Sequence, residues 1–256
     1  MIGSQTDYIV AKASKLTKAV HKASIANQLA GGMSSMYRST GPIPSQPAIP
    51  AAAVVCANAT AGALEMPTAV AQRYVDAIAL NCTTASTHHL VDRVIHSGGL
   101  NGTLITAQAV NTPALPVRAP AQECEWYLEW YADTGATVAN ATVAVTYTDA
   151  TAANIVVPLA ATMRAARMLP IIPGLGKVIA SVQTVALSAS TAAAGNFGVT
   201  CIKRLVSGLT VIAASVGDRR ESLIQPVAND ACFSLIVDCT TTSTGDVRGT
   251  YELLDA

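Results

Sequence analysis

Hydrophobic and polar positions change period once along the chain, near residue 50. Before that point Ile9, Ala13, Leu16, Val20 and Ala23 recur at four-three spacing, which places them on one face of a helix over residues 5–30. Ser4 or Thr6 is placed to cap its start, and Gly31 with Gly32 to end it. Lys12, Lys15, Lys18 and Lys22 form a second stripe beside the apolar one, read either as a solvated face or as an arm that contacts an acidic partner. Next comes STGPIPSQPAIP, where Pro42, Pro44, Pro47 and Pro50 impose extended, polyproline-like backbone. Such a stiff strap either reaches across a neighbouring subunit or simply links two domains.

After residue 50 the period is two. In ECEWYLEWY, Cys124, Trp126, Leu128 and Trp130 alternate with Glu123, Glu125, Tyr127, Glu129 and Tyr131, which predicts a strand with one core face and one wet face. Further strands are expected near 54–59, 74–82, 89–96, 102–110, 137–148, 154–159, 167–172, 178–189, 197–205, 209–214, 232–239 and 247–254. Turn clusters such as SGGLNG, DTG, TDAT, PGLG and STGD separate them. Many short strands without long helices between them predict a mainly β fold: an antiparallel β-sandwich or jelly-roll-like body preceded by an N-terminal helix and a Pro-rich extended arm. Three regions follow: 1–50 (helix and arm), 51–120 (first β region) and 121–256 (second β region), the last two either separate or parts of one continuous sandwich. LNCTTAST at 80–87 and VDCTTTST at 237–244 repeat the same strand-turn-strand chemistry, by shared turn preference or by duplication.

Composition sharpens this picture. Only 12% of the 256 residues are charged, against about 25% in ordinary soluble domains. Exposed faces made of Ala, Thr, Ser and Val are expected to be covered by neighbouring subunits, so a homo-oligomer is anticipated. The formal net charge is zero, which disfavours nucleic acid and acidic membranes as partners. The residues from Met1 to Tyr8 lack a secretory pattern and no run of eighteen apolar residues occurs, so synthesis in the cytoplasm without membrane insertion is expected. Cys56, Cys82, Cys124, Cys201, Cys232 and Cys239 show no C-x-x-C pair and read as reduced core residues.

Searching for catalytic chemistry yields little. GLGK at 174–177 lacks the first glycine and the final Ser or Thr of a phosphate-binding loop and reads as a turn. No G-x-S-x-G elbow is present. His88, His89, His96 and Asp92 read as a polar strand face rather than a metal site. The row Glu125, Tyr127, Glu129 and Tyr131 reads as a solvated or subunit-facing surface, with a carbohydrate-contact face as the sharper alternative. No cofactor, no metal and no enzymatic turnover are expected. The sequons at Asn58, Asn81, Asn101 and Asn140 read as turn chemistry.

The segments MYRSTGPIPSQPAIPAAAVVCANATAGAL (36–64), HHLVDRVIHSGGLNGTLITAQAVNTPALPVRA (88–119), EWYLEWYADTGATVANATVAVTYTD (125–149), RMLPIIP (167–173) and SVQTVALS (181–188) resemble uncharacterised structural proteins encoded in tailed-bacteriophage and prophage genomes. The resemblance covers most of residues 35–205 and leaves out the lysine-bearing helix. It implies a virion location and an auxiliary capsid protein that cements or decorates the shell. The partners implied are the major capsid protein or other virion proteins, in a trimer on threefold positions. The alternative within the same class is a tail, neck or receptor-binding component that contacts host glycan. No active-site residues transfer with it.

Overall fold

The structure, a computed structural model, describes residues 2–68, 72–214, 218–220 and 225–256. Helix α1 (Gln5–Lys12) precedes β1 (Leu16–Lys22), β2 (Gly32–Ser35), β3 (Val54–Val55), β4 (Arg73–Cys82), β5 (Ser86–His96), β6 (Leu100–Asn101), β7 (Gln108–Ala109) and β8 (Cys124–Trp130). Then come β9 (Ala139–Tyr147), β10 (Ala152–Leu159), β11 (Met168–Pro170), β12 (Ile179–Leu187), β13 (Asn196–Val211), β14 (Asp218–Arg220), β15 (Gln225–Val227), β16 (Phe233–Cys239) and β17 (Val247–Asp255). The strands pair antiparallel throughout the described residues. The protein is thus mainly β and sandwich-like, behind a short helix.

Three sheets form. The central one runs β11-β8-β13-β5-β16-β2, with β3 and β6 alongside; a second runs β10-β9-β12-β7; a third runs β1-β17-β4-β14, with β15 on β4. Trp126, Leu128, Trp130, Phe197 and Val199 of the central sheet pack against Val143, Val145, Val182 and Val185 of the second. Leu90, Val206, Leu209 and Leu235 pack against Val75, Ile78, Leu80 and Leu253 of the third. β13 therefore serves both cores. Its pairing with β5 shifts register between Arg204 and Val206 and again before Leu209, and such bulges re-aim side chains at the handover. Residues from both sides of position 120 share the central and third sheets.

The N-terminal helix is shorter than its spacing predicts. Ser4 Oγ accepts from Asp7 N at 3.2 Å and caps it as expected, but the helix ends at Lys12. Residues 16–22 form an edge strand, with Leu16 opposite Leu253 and Lys22 opposite Val247. Leu16 and Val20, four apart, satisfy both a helical and a two-residue period. Pairing with β17 decides between them, because it satisfies the backbone in a sheet that already exists. Gly31, at φ +75°, sits in the turn into β2 rather than at a helix end.

The repeated Cys-Thr-Thr segments prove to be neighbouring corners. β4 crosses to β5 from the third sheet to the central one, and β16 crosses to β17 in the opposite direction. Thr83 N donates to Asp246 O at 3.1 Å, and Asp246 N donates to Thr83 Oγ1 at 2.8 Å. Each corner therefore satisfies the backbone of the other.

Trp130 and Phe197, both fully buried, stack at 4.3 Å between ring centroids. Phe197→Ala is expected to lower stability by about 3–5 kcal/mol, measured by urea unfolding followed through tryptophan fluorescence. A loss below about 1 kcal/mol would mean that this core repacks freely around the vacancy.

Candidate functional site

The four lysines do not form a free stripe. Lys12 lies 3.4 Å from Asp76, Lys15 3.1 Å from Glu252 and Lys18 2.6 Å from Glu65. Lys22 is buried and donates to Pro44 O at 2.9 Å; burial alone lowers its pKa to about 8. The acidic partners of Lys12, Lys15 and Lys18 belong to the same chain, and the strand at 16–22 turns Lys18 and Lys22 to the same side as Val20. The strap carrying Pro42, Pro44, Pro47 and Pro50 likewise lies on its own body. Ile43 O accepts from His21 N at 2.8 Å, Arg38 donates to Pro47 O, and the Cβ of an alanine at Gly62 or Gly98 would strike Pro47 or Ile49. The accessible surface is 10475 Å². A compact monomer of 26.2 kDa is expected to expose about 10,600 Å². A projecting arm would raise the figure above that value.

The row on β8 also departs from its expected wet face. Tyr127, Glu129 and Tyr131 are buried, since the central sheet is covered on both sides here. Their rings are therefore not presented for stacking on a sugar. Glu123, just before the strand, and Glu125 remain open. Glu125 takes a bidentate pair from Arg204 at 2.6 and 3.0 Å and accepts from the Tyr127 hydroxyl. It borders a groove of about 340 Å³ with Tyr127, Pro170, Ile172, Pro173 and Lys177. GLGK closes this end as a turn, with Lys177 N donating to Gly174 O at 3.0 Å.

The second sheet presents a different surface. None of β7, β9, β10 and β12 contains Asp, Glu, Lys, Arg or His. Its open face shows Asn140, Thr142, Ala144 and Thr146 on β9 beside Ala152, Asn154, Val156 and Pro158 on β10. A face with no ionic hydration shell can be covered by another protein without desolvating a charge.

Opposite the first core, a buried polar network crosses the central sheet. Arg93 Nη1 donates to Glu129 Oε2 at 2.7 Å and Nη2 to Oε1 at 2.9 Å, with neither side chain exposed. Arg93 also donates to Ser35 Oγ at 2.8 Å and Thr200 Oγ1 at 3.0 Å, and stands 4.2 Å over the Tyr37 ring. His96 packs edge-on against Tyr37 at 5.2 Å. Arg118, 2.9 Å from both Asp92 and Asp230, ties the next loop to β5. Sequence reading missed Arg93 and Arg118. For Arg93 the signal was an ionised residue within a strand-length apolar run; the histidines and Asp92 beside it do lie on β5, where they are buried.

Burial would raise the Glu129 pKa, but the Arg93 charge and hydrogen bonds outweigh it and bring it to about 2. For His96, burial and then Arg93 lower the pKa to about 3; for His88, burial lowers it to about 4. All three groups bind protons more weakly folded than unfolded, so each contributes stability at neutral pH that is lost on acidification. The histidines act from about pH 6.5 down to 3–4, and Glu129 from about pH 4.5 down to 2. Glu129→Gln strands a buried guanidinium and is expected to cost about 3–5 kcal/mol at pH 7. Urea midpoints at pH 7, 5 and 3 check both points: the wild type weakens at each step, and the variant loses less than the wild type between pH 5 and 3.

No protein-family model and no curated protein matches the chain. Among solved structures it is similar to the VP2 subviral particle of infectious bursal disease virus, at 10% identity over 94% of this chain and 80% of that one, with a TM-score of 0.20. It is also similar to the T=1 particles derived from infectious bursal virus, at 10% identity over 94% and 76% of the two chains, with a TM-score of 0.19. At these TM-scores neither overlap assigns a fold family or a function.

Proposed function

We propose that this chain is a structural subunit of a virion, and specifically an auxiliary head protein that cements or decorates the major capsid shell of a tailed bacteriophage. The observation that carries the reading is the four-stranded sheet whose strands hold no Asp, Glu, Lys, Arg or His, in a chain that is only 12% charged. The resemblance of most of residues 35–205 to phage structural proteins supports it. The reading gives the chain no turnover, no cofactor and no nucleic-acid partner. Its work is adhesion: a face of the β body lies against shell subunits and buries more than roughly 1,000 Å² per contact. Contact comes through this face rather than through the proline strap, which is occupied by the chain's own body. A homo-oligomer on threefold positions of the shell is the arrangement that the resemblance implies.

The tail, neck or receptor-binding alternative has less support, because the tyrosines that would stack on a glycan are buried. Copy number in purified particles tests the choice. A cement protein is expected in a fixed ratio to the major capsid protein by quantitative mass spectrometry, and particles lacking it are expected to release their genome at lower temperature. A handful of copies per particle, with unchanged heat resistance, would exclude the cement role.

A further inference from the structure

We propose that β10 is the docking edge for a second copy of this chain, the two β10 strands pairing antiparallel about a twofold axis at Asn154. The contact goes beyond the shell reading, for the pair can form whether or not the protein binds a capsid.

β10 ends the order of the second sheet, and its eight residues AANIVVPL carry no charge. Unpaired edges are ordinarily protected by charged residues, by shortness or by cover. The other described edges follow that rule. β7, β11, β14 and β2 have two, three, three and four residues, and β1 carries Lys18 and Lys22. β10 has only Pro158.

The register states which groups are free. Tyr147 N donates to Thr151 O at 2.8 Å, and β10 pairs with β9 two residues at a time from there: Ala153 with Val145, Ile155 with Val143, Val157 with Ala141. Bonded and non-bonded pairs alternate in an antiparallel ladder, so the backbone groups of Ala152, Asn154 and Val156 point away from the sheet. Pro158 falls on the same outward side, where a missing N–H is tolerated. Centring the axis on Asn154 sets Ala152 opposite Val156 of the second copy and Asn154 opposite its own equivalent. All three outward N–H groups of each strand then find a carbonyl, six hydrogen bonds in total, and Pro158 lies beyond the paired stretch. Shifting the register by two residues either way brings Pro158 into the ladder or leaves an N–H unused. The two asparagine amides meet on the axis, where each can donate to the other, and no like charges face each other. The product is one continuous eight-stranded sheet with a neutral face. A twofold contact of this kind links pairs of chains even where a threefold contact is also present.

The test is register-specific and uses the full chain. In a hydrogen-bonded pair the Cα atoms lie about 5.5 Å apart, within the roughly 4.4–6.8 Å that a disulfide spans. Asn154→Cys is therefore expected to form a covalent dimer under aerobic copper catalysis, two thiols losing two electrons and two protons to dioxygen. Val156→Cys alone is not, because its equivalents stand four residues, about 13 Å, apart along the strands. Mixing Val156→Cys with Ala152→Cys is expected to restore the covalent dimer. The parent chain, whose six cysteines are free and buried or half-buried, is the background. Asn154→Lys places two ammonium groups on the axis and is expected to abolish the concentration-dependent rise in mass that the wild type shows in sedimentation. Equal cross-linking of Asn154→Cys and Val156→Cys, or a wild type that stays monomeric at every concentration, would overturn the proposal. Particle binding is scored separately, so loss of the pair and loss of shell attachment are distinguishable outcomes.

Discussion

Burying a sheet on both faces makes each polar side chain within it costly unless it finds a partner inside the protein. The central sheet answers that constraint along β5, β8 and β13, where both terminal guanidinium nitrogens of Arg93 are engaged by Glu129, Thr200 and Ser35 and Thr200 also donates to Glu129, while Arg93 Nε has no protein partner among the described residues. Without that pair the sheet would hold an unneutralised charge behind the Trp130 core. Replacing the network with hydrocarbon can be neutral for stability. A network spread over four strands does, however, fix their relative register, since a two-residue slip on β8 would take Glu129 out of reach of Arg93.

The same constraint explains the surface. Lys22, Arg73, Asp76, Asp92, Arg93, Glu129 and Glu252 are all buried, seven of the 32 charged residues in a chain already short of them. Several others are held in pairs with their own chain, such as Lys177 with Asp149 at 2.6 Å. The charges are therefore concentrated in the interior network, around the third sheet and in turns such as that of Asp149, while the strands of the second sheet have none. Low charge in this protein is unevenly distributed, and the neutral region coincides with the unprotected edge.

Sequence alone read the strand content well, because alternation survives wherever one face meets a core. β9 alternates buried and more open residues along its whole length, and β8 places its tryptophans inward as its pattern requires. The Ser4 cap and the GLGK turn were also legible, being local chemistry. What failed depended on distant partners. Residues 16–22 fit helix and strand equally until β17 is present to pair with them. The polar side of β8 looks identical in sequence whether water or Arg93 satisfies it. Proline fixes the strap as extended but does not say where the strap lies, and Gly62 and Gly98, far along the chain, make room for it. The outward edge of β10 was hidden for the same reason, since its exposure follows from its place at the end of a sheet.

Zero net charge and a neutral face also limit how this protein finds its contacts. Without a long-range field, encounter is unsteered, at about 10⁵–10⁶ M⁻¹s⁻¹ for typical protein pairs. Specificity must then arise at contact distance, from backbone hydrogen bonds in register and from close approach of Ala, Thr and Val. Interactions of this kind respond weakly to salt and gain most when copies are held near one another, because effective concentration replaces affinity. A soluble monomer gains little from such a surface and risks non-specific association. A subunit brought to a fixed position among many copies gains a contact that is weak in dilute solution and cumulative once assembled, and that difference gives an unguarded, uncharged edge a physical reason to exist.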